Sequence, residues 1–445
     1  MLSAAERKSK IGKVIRVASG NFLEMYDFIV YGYYANYIAR TFFPAGSEFA
    51  SLMLSLMTFG VGYLMRPIGA IVLGAYIDRK GRRQGLILTL GLMAVGTLTI
   101  AATPSYESIG LAAPLLIVAG RLLQGLSAGV ELGGVSIYLA EIATPGNRGF
   151  YTSWQSGSQQ VAVIFTAILG LAVASVLAPE QMAAWGWRVP LFVGCLIIPV
   201  ILWLRRSLEE TEAFRKGHHA RSTGEVFRIV GANWKLVLNG MMLSVLTTTT
   251  FYLITAYTPT YGREALKLDP FGNLLVTLCV GLSNFIWLPI GGMVSDRIGR
   301  KPLLLGIPVL CLLTAYPAML WLVNEPSFFK LLLVELWFSF FFGMYNGAMI
   351  PFLAEMMPPE VRTAAFSLAF SLATAVFGGF TPAMATYLIQ ATGNRAAPAL
   401  WLSFAAAISL VAALVAKSVP QDESLWTGRA ADASDAKRVA PVGVR

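Results

Sequence analysis

Six ionisable side chains sit inside long apolar stretches of this 445-residue chain: Glu24, Asp27, Arg66, Arg121, Glu131 and Glu335. An ionisable group in hydrocarbon costs at least ~2.5–3.5 kcal/mol on insertion scales, so each one needs a reason to be there. Two kinds of chemistry fit these residue types. A carboxyl whose charge depends on a neighbouring arginine can take up and release a proton as that arginine arrives or leaves. An arginine without an acid of its own can grip a carboxylate through two parallel hydrogen bonds. Glu24 and Asp27, three residues apart, share a helix face, and Arg121 and Gln124 do likewise. His218 and His219 lie in a polar stretch and read as solvated. Cys195, Cys279 and Cys311 fall in apolar stretches and read as packing residues rather than a disulfide framework. With no metal-ligand or nucleophile constellation at a membrane edge, an enzyme is not expected. Glu335 reads as packing.

The elements that must hold these groups follow from composition. Hydrophobic residues make up 56% of the chain and charged residues 13%, with a mean hydropathy of +0.64. A soluble domain carries roughly 25% charged residues, so a soluble fold is excluded. Twelve apolar stretches can be marked off, near 15–42, 50–77, 85–103, 112–140, 150–177, 185–204, 236–262, 272–295, 303–322, 328–356, 364–390 and 397–417. Each is long enough to cross about 30 Å of hydrocarbon as a helix. None shows the ten-residue alternation of a membrane barrel strand.

Lysine and arginine fall unevenly between the stretches, 26 on the side of the N-terminal tail and 6 on the other. By the positive-inside rule both termini face the cytoplasm. The net charge of +10 is therefore an orientation signal and not a nucleic-acid footprint. No small-residue cleavage site follows the first stretch, so a removable signal segment is not expected. The expected organisation is a cytoplasmic tail over 1–14, a six-helix bundle over 15–204, a charged linker over 205–235, a second six-helix bundle over 236–417 and a disordered tail over 418–445. At 1.5 Å per helical residue, Asp27 lies about 18 Å from Ile15, Arg66 roughly 17 Å from Ile77 and Arg121 about 14 Å from Ala112. All three come near the midplane.

The two halves repeat each other. Gly74, Asp78, Arg79, Gly81, Arg82 and Arg83 follow the second stretch, and Gly292, Asp296, Arg297, Gly299, Arg300 and Lys301 follow the eighth, at an offset of 218. Glu141, Pro145 and Arg148 follow the fourth stretch, and Glu355, Pro359 and Arg362 the tenth, at an offset of 214. With these paired loops the chain resembles the major facilitator superfamily of secondary transporters over 15–417. The first stretch (GNFLEMYDFIVYG), LMRPIG around Arg66 and GRLLQGLSAGVE from Gly120 to Glu131 look like its metabolite:proton symporter family. YTSWQSGSQQVAV (151–163), TTTTFYLITAYTPTYG (247–262), SNFIWLPIGG (283–292) and WFSFFFGMYNGAM (337–349) resemble bacterial citrate–proton symporters and their tricarballylate-carrying relatives.

The resemblance implies an all-α integral membrane protein with twelve transmembrane helices in two pseudo-symmetric six-helix bundles. It implies alternating access in the bacterial inner membrane and transport of a small anionic solute, with the proton as coupling ion and no cofactor. The motif loops would form a gating latch from Asp78, Arg79, Arg82, Asp296, Arg297, Arg300, Glu141, Arg148, Glu355 and Arg362. An acid on the first helix paired with an arginine on the fourth would be Asp27 with Arg121, either coupling protonation to opening or acting as a static salt bridge. Glu24 is a further candidate proton carrier, and Glu131 is either another or a structural partner for the neighbouring bundle. Arg66 and Arg121 together could hold two carboxylates of a small polyacid. Donors for the remainder are Asn21, Gln124, Gln155, Ser158 and Gln159 from the first half, and Thr248, Tyr252, Tyr257, Asn284 and Asn346 from the second. Each of these could instead be an interhelical hydrogen bond. Moving one charge across the membrane is worth ~2.3 kcal/mol per 100 mV, so an importer of polyanions must bring cations along. A functional monomer is expected, touching lipid and no nucleic acid. A dicarboxylate, a proline- or betaine-type osmolyte, a sugar and a channel are the rival readings.

Overall fold

In hydrocarbon a single segment can satisfy its own N–H and C=O groups only as a helix, and the apolar stretches fold accordingly. The computed structural model describes residues 12, 21–80, 82–129, 131–206, 228, 230–358 and 361–416. The crossing helices are α1 (21–42), α2 (Glu48–Lys80), α3 (Arg82–Ala102), α4 (Ala112–Ala128, resumed as Glu131–Glu141), α5 (Arg148–Val176) and α6 (Val189–Arg206) in the first half. The second half has α7 (Trp234–Ala265), α8 (Pro270–Ile298), α9 (Lys301–Asn324), α10 (Phe328–Met356), α11 (Arg362–Thr392) and α12 (Pro398–Val415). Among the described residues, nine of these are long and apolar enough to span a bilayer on length and composition alone, and α3 and α6 are shorter apolar helices. With α1, described from residue 21, they make up the twelve.

Equivalent helix pairs pack alike in the two halves. In the first, Gly125 of α4 rests against the Gly62 carbonyl of α2 so closely that a Cβ at Gly125 would overlap it. In the second, a Cβ at Gly291 of α8 would meet the Gly343 carbonyl of α10 at 2.5 Å. Small residues let helix backbones approach where no hydrophobic force separates protein from lipid.

The halves meet through α1 with α7, α2 with α11, and α5 with α8. At the end bearing the motif loops, Gly149 of α5 and Gly292 of α8 cross with no room for a side chain on either. At the opposite end, a Cβ at Gly32 of α1 would meet the Ala256 side chain of α7 at 2.9 Å, and one at Gly170 of α5 would meet Leu274 of α8 at 3.4 Å. The halves therefore touch at both levels. Helices α7 and α11 are not regular. Leu253–Tyr257, Tyr261–Ala265 and Thr374–Gly378 form π-helical turns, with Pro259 between the first two. Such wide turns inside helices occur mainly at functional sites.

Candidate functional site

A chamber lies between the halves, lined by Met25, Arg66, Ser156, Gln159, Thr247, Thr248, Phe251, Tyr252, Phe342, Asn346, Phe370 and Thr374. Helices α1, α2 and α5 supply one wall and α7, α10 and α11 the other. It holds about 20 Å³, room for one or two waters.

Arg66 is the charged group of the chamber wall. Its Nη2 lies 2.8 Å from Glu24 Oε1, with both side chains nearly fully buried, and its Nε has no hydrogen-bond partner. The guanidinium packs over the rings of Phe28 and Tyr63, 4.7 and 4.6 Å from their centroids. Tyr63 in turn meets Tyr252 across the interface between halves, centroids 5.0 Å apart. Asn346 Nδ2 donates to Thr247 Oγ1 at 2.7 Å, leaving Asn346 Oδ1 without a partner. The wall thus offers one guanidinium edge and several amide and hydroxyl groups to whatever enters.

Arg121 is set apart from the chamber. It is completely buried in the first half and shares the Phe28 and Tyr63 rings with Arg66 while also packing over Tyr31 and Phe59. Among the described residues no carboxylate lies within ion-pairing distance of it. The expected direct pair with Asp27 is replaced by a relay. Arg121 Nη1 donates to Gln124 Oε1 at 2.8 Å and Gln124 Nε2 donates to Thr97 Oγ1 at 3.0 Å. Thr97 Oγ1 stands 2.5 Å from Asp27 Oδ2. The reason is geometric: Gln124, one helical turn beyond Arg121, projects its amide into the space between the charges, and Thr97 from α3 fills the rest. The acid that meets an arginine directly is Glu24, and its arginine is Arg66. The two-arginine grip on one solute is thus not assembled in this state, where only Arg66 reaches the chamber.

Of the other candidates, Gln159, Thr248, Tyr252 and Asn346 line the chamber. Asn21 and Ser158 both donate to the Gln155 carbonyl, and Gln155 Oε1 accepts from Ser156. Asn284 donates to Gln160 across the halves and accepts from Ser339. Tyr257 accepts from Thr386. These are interhelical or local hydrogen bonds here. Sequence reasoning missed Met25, Ser156, Thr247, Phe251, Phe342, Phe370 and Thr374 of the lining, together with Thr97 and the rings around the arginines. The signal for several was helical spacing: Phe59 and Tyr63 fall seven and three residues before Arg66, and Phe342 four before Asn346.

At the motif-loop end, Asp296 of α8 accepts from the backbone N–H groups of Gly149 and Phe150 at 2.8 and 3.0 Å. These are free donors at the N-terminus of α5, where a carboxylate is also favoured by the helix dipole. Arg300 Nη1 lies 2.6 Å from Asp296 and its Nη2 3.1 Å from Glu355. The bond between halves therefore runs from carboxylate to backbone, and the Asp–Arg–Glu triad braces it from within the second half. Arg362 Nε donates to the Met357 carbonyl at 3.4 Å, and Arg297 is exposed. Glu141 and Arg148 sit at the facing ends of α4 and α5. The side chains of Asp78, Arg79, Arg82 and Glu131 lie outside the described residues.

Residues 17–382 match the Major Facilitator Superfamily. The chain belongs to that superfamily. Two relatives are each 60% identical to it: a citrate-proton symporter from Salmonella typhi, over 92% of this chain and 94% of the relative, and a citrate-proton symporter from Klebsiella pneumoniae, over 91% of both. Among solved structures, a D-xylose-proton symporter superposes with a TM-score of 0.74 at 20% identity, covering 92% of this chain and 98% of its own. At that identity the likeness shows the fold alone. This superfamily member is a multi-pass membrane transporter, and the twelve-helix, two-bundle expectation holds.

Proposed function

We propose that the protein imports citrate or a related tricarboxylate together with protons by alternating access. The observation that carries this reading is Arg66, a guanidinium in the wall of a chamber between the halves, with an acid, Glu24, as its partner. The 60% identity to two citrate-proton symporters supports the same substrate class. A substrate carboxylate entering the chamber competes with Glu24 for Arg66. Glu24, displaced, loses the cation that favours its charged form and takes a proton from the side that is open. Substrate and proton thus load together, and the charge moved inward falls with each proton carried.

Asp27 is the second coupling group. Its Oδ1 has no partner, and its Oδ2 connects through Thr97 and Gln124 to Arg121. Loss or gain of a proton there alters a chain that ends on the ring cluster shared with Arg66. Closure of the motif-loop end by Asp296 on α5 faces the cytoplasm in this reading, with both termini on that side and residues 205–235 linking the bundles. The unit of transport is the monomer.

The test is uptake of labelled citrate into vesicles containing the protein, with and without an inward proton gradient. Accumulation only with the gradient is expected, and accumulation that survives its collapse would defeat the coupling. A competition panel of citrate, isocitrate, tricarballylate, succinate and proline decides the substrate class. Tricarboxylates should compete strongly and proline not at all.

A further inference from the structure

Glu335 belongs neither to the chamber nor to the latch, yet it is a carboxyl only 5% exposed in the first third of α10. Among the described residues no cation lies within ion-pairing distance of it, and its Oε2 has no hydrogen-bond partner. Oε1 stands 3.0 Å from Thr258 Oγ1, and the same hydroxyl stands 2.9 Å from the Ile254 carbonyl. A threonine hydroxyl has one hydrogen to give, while a carbonyl and an ionised carboxylate can only accept. If Glu335 were ionised, one of the two contacts would set lone pairs against each other, and a buried charge would keep at most one hydrogen bond. With a proton on Oε1 both contacts are satisfied: Glu335 donates to Thr258, and Thr258 donates to Ile254.

Two further observations converge on this carboxyl. The offset of 214 that relates Glu355 to Glu141 also relates Glu335 to Arg121, so the repeat places an ionisable group at the same level of α4 and α10. Thr258 lies between the two π-helical turns of α7, where the helix is already irregular and can shift the hydroxyl off the carboxyl. The neighbouring helices offer few other titratable groups. On α7 these are the phenols Tyr252, Tyr257 and Tyr261, the last donating to the Arg395 carbonyl, and near its end Arg263 and Glu264, which pair with each other, Glu264 also with Lys267 just beyond the helix. Lys330, earlier on α10, pairs with Glu325. Arg395 donates to the Val323 carbonyl. Helix α8 brings Cys279 between 270 and 295, α9 brings Cys311 and Tyr316, and α12 none. Arg148, Tyr151, Glu141, Glu355 and Arg362 lie toward the motif-loop end, and Tyr387 is on α11.

We propose that Glu335 is a second proton-binding site, in the C-terminal half, which holds its proton while the transporter is closed and exchanges it with water when α7 moves. It then counts among the co-transported protons. The inference rests on the proton-coupled reading above. The experiment measures steady-state citrate accumulation in vesicles against the imposed pH difference, for wild type and Glu335→Gln. Glutamine keeps the shape and a donor for Thr258 but carries no titratable proton. One proton fewer per cycle lowers the slope of log accumulation against pH difference by one, about a tenfold loss of accumulation per pH unit. A slope equal to wild type overturns the proposal. A second measurement needs no citrate: infrared difference spectra on raising pH should contain the carbonyl stretch of a protonated carboxyl that is absent in Glu335→Gln and shifted in Thr258→Val. A wild-type spectrum unchanged by both substitutions also overturns it. Wild-type vesicles that fail to accumulate citrate would count against the transport reading, while the infrared comparison still decides Glu335.

Discussion

Replacing Asp296 by alanine should open the motif-loop end of the transporter. The variant removes two N–H donations from the start of α5, at 2.8 and 3.0 Å, made to a carboxylate only 5% exposed. Hydrogen bonds to charged groups contribute about 1.5–3 kcal/mol each, net of the water that replaces them. In the open state both partners are hydrated, so the lower figure applies, giving about 3 kcal/mol for the pair. Each 1.4 kcal/mol is a factor of ten, so the ratio of closed to open protein should fall on the order of 100-fold. Arg300 keeps Glu355 as a partner and is not left bare, which limits any added destabilisation of the fold. The assay is the distance distribution between spin labels at Asn147 and Arg297, two exposed positions on opposite halves. Wild type should show chiefly the short distance and Asp296→Ala chiefly the long one, with gradient-driven accumulation correspondingly reduced. An unchanged distribution in a folded variant would refute the latch.

A bulky residue at the α5–α8 crossing should act on the same equilibrium by sterics. Gly149→Val cannot fit against the Gly292 carbonyl, so the long-distance population should again dominate the spin-label measurement, with Asp296 intact. Arg66→Ala should weaken citrate binding at least tenfold in titration of the purified protein, because it removes the charged group of the chamber wall; Arg66→Lys, which lacks the planar fork, should recover only part of it. Asp27→Asn should preserve citrate exchange between vesicle and medium but abolish accumulation under a proton gradient, and accumulation at the wild-type level would remove Asp27 from the coupling path.

Much of the fold was legible in the chain because the bilayer leaves so few options. Apolar runs of spanning length have to be helices, and the paired loops at offsets of 218 and 214 reveal duplication. Of the chamber lining, the sequence pointed to Arg66 and to four polar residues, Gln159, Thr248, Tyr252 and Asn346. Glu24, Asp27, Arg66 and Arg121 stand out because an ionisable group in hydrocarbon is conspicuous. Ser156, Thr247, Phe342 and Phe370 do not, since serine, threonine and aromatics are ordinary on any transmembrane helix.

Partnership was the part that sequence could not decide. Glu24 and Asp27 share a helix face, so spacing alone cannot say which of them meets which arginine. The packing of α2, α3 and α4 decides it, bringing Arg66 onto Glu24 and interposing Gln124 and Thr97 between Asp27 and Arg121. The latch follows the same pattern. Its acidic and basic residues were visible as a motif, but the partner of Asp296 is a pair of backbone N–H groups, and every residue except proline carries one. The sequence by itself determined that this protein spans the membrane as two related bundles carrying buried charge. Which charges are paired, and with what, was decided only where helices far apart in the chain came within hydrogen-bond reach.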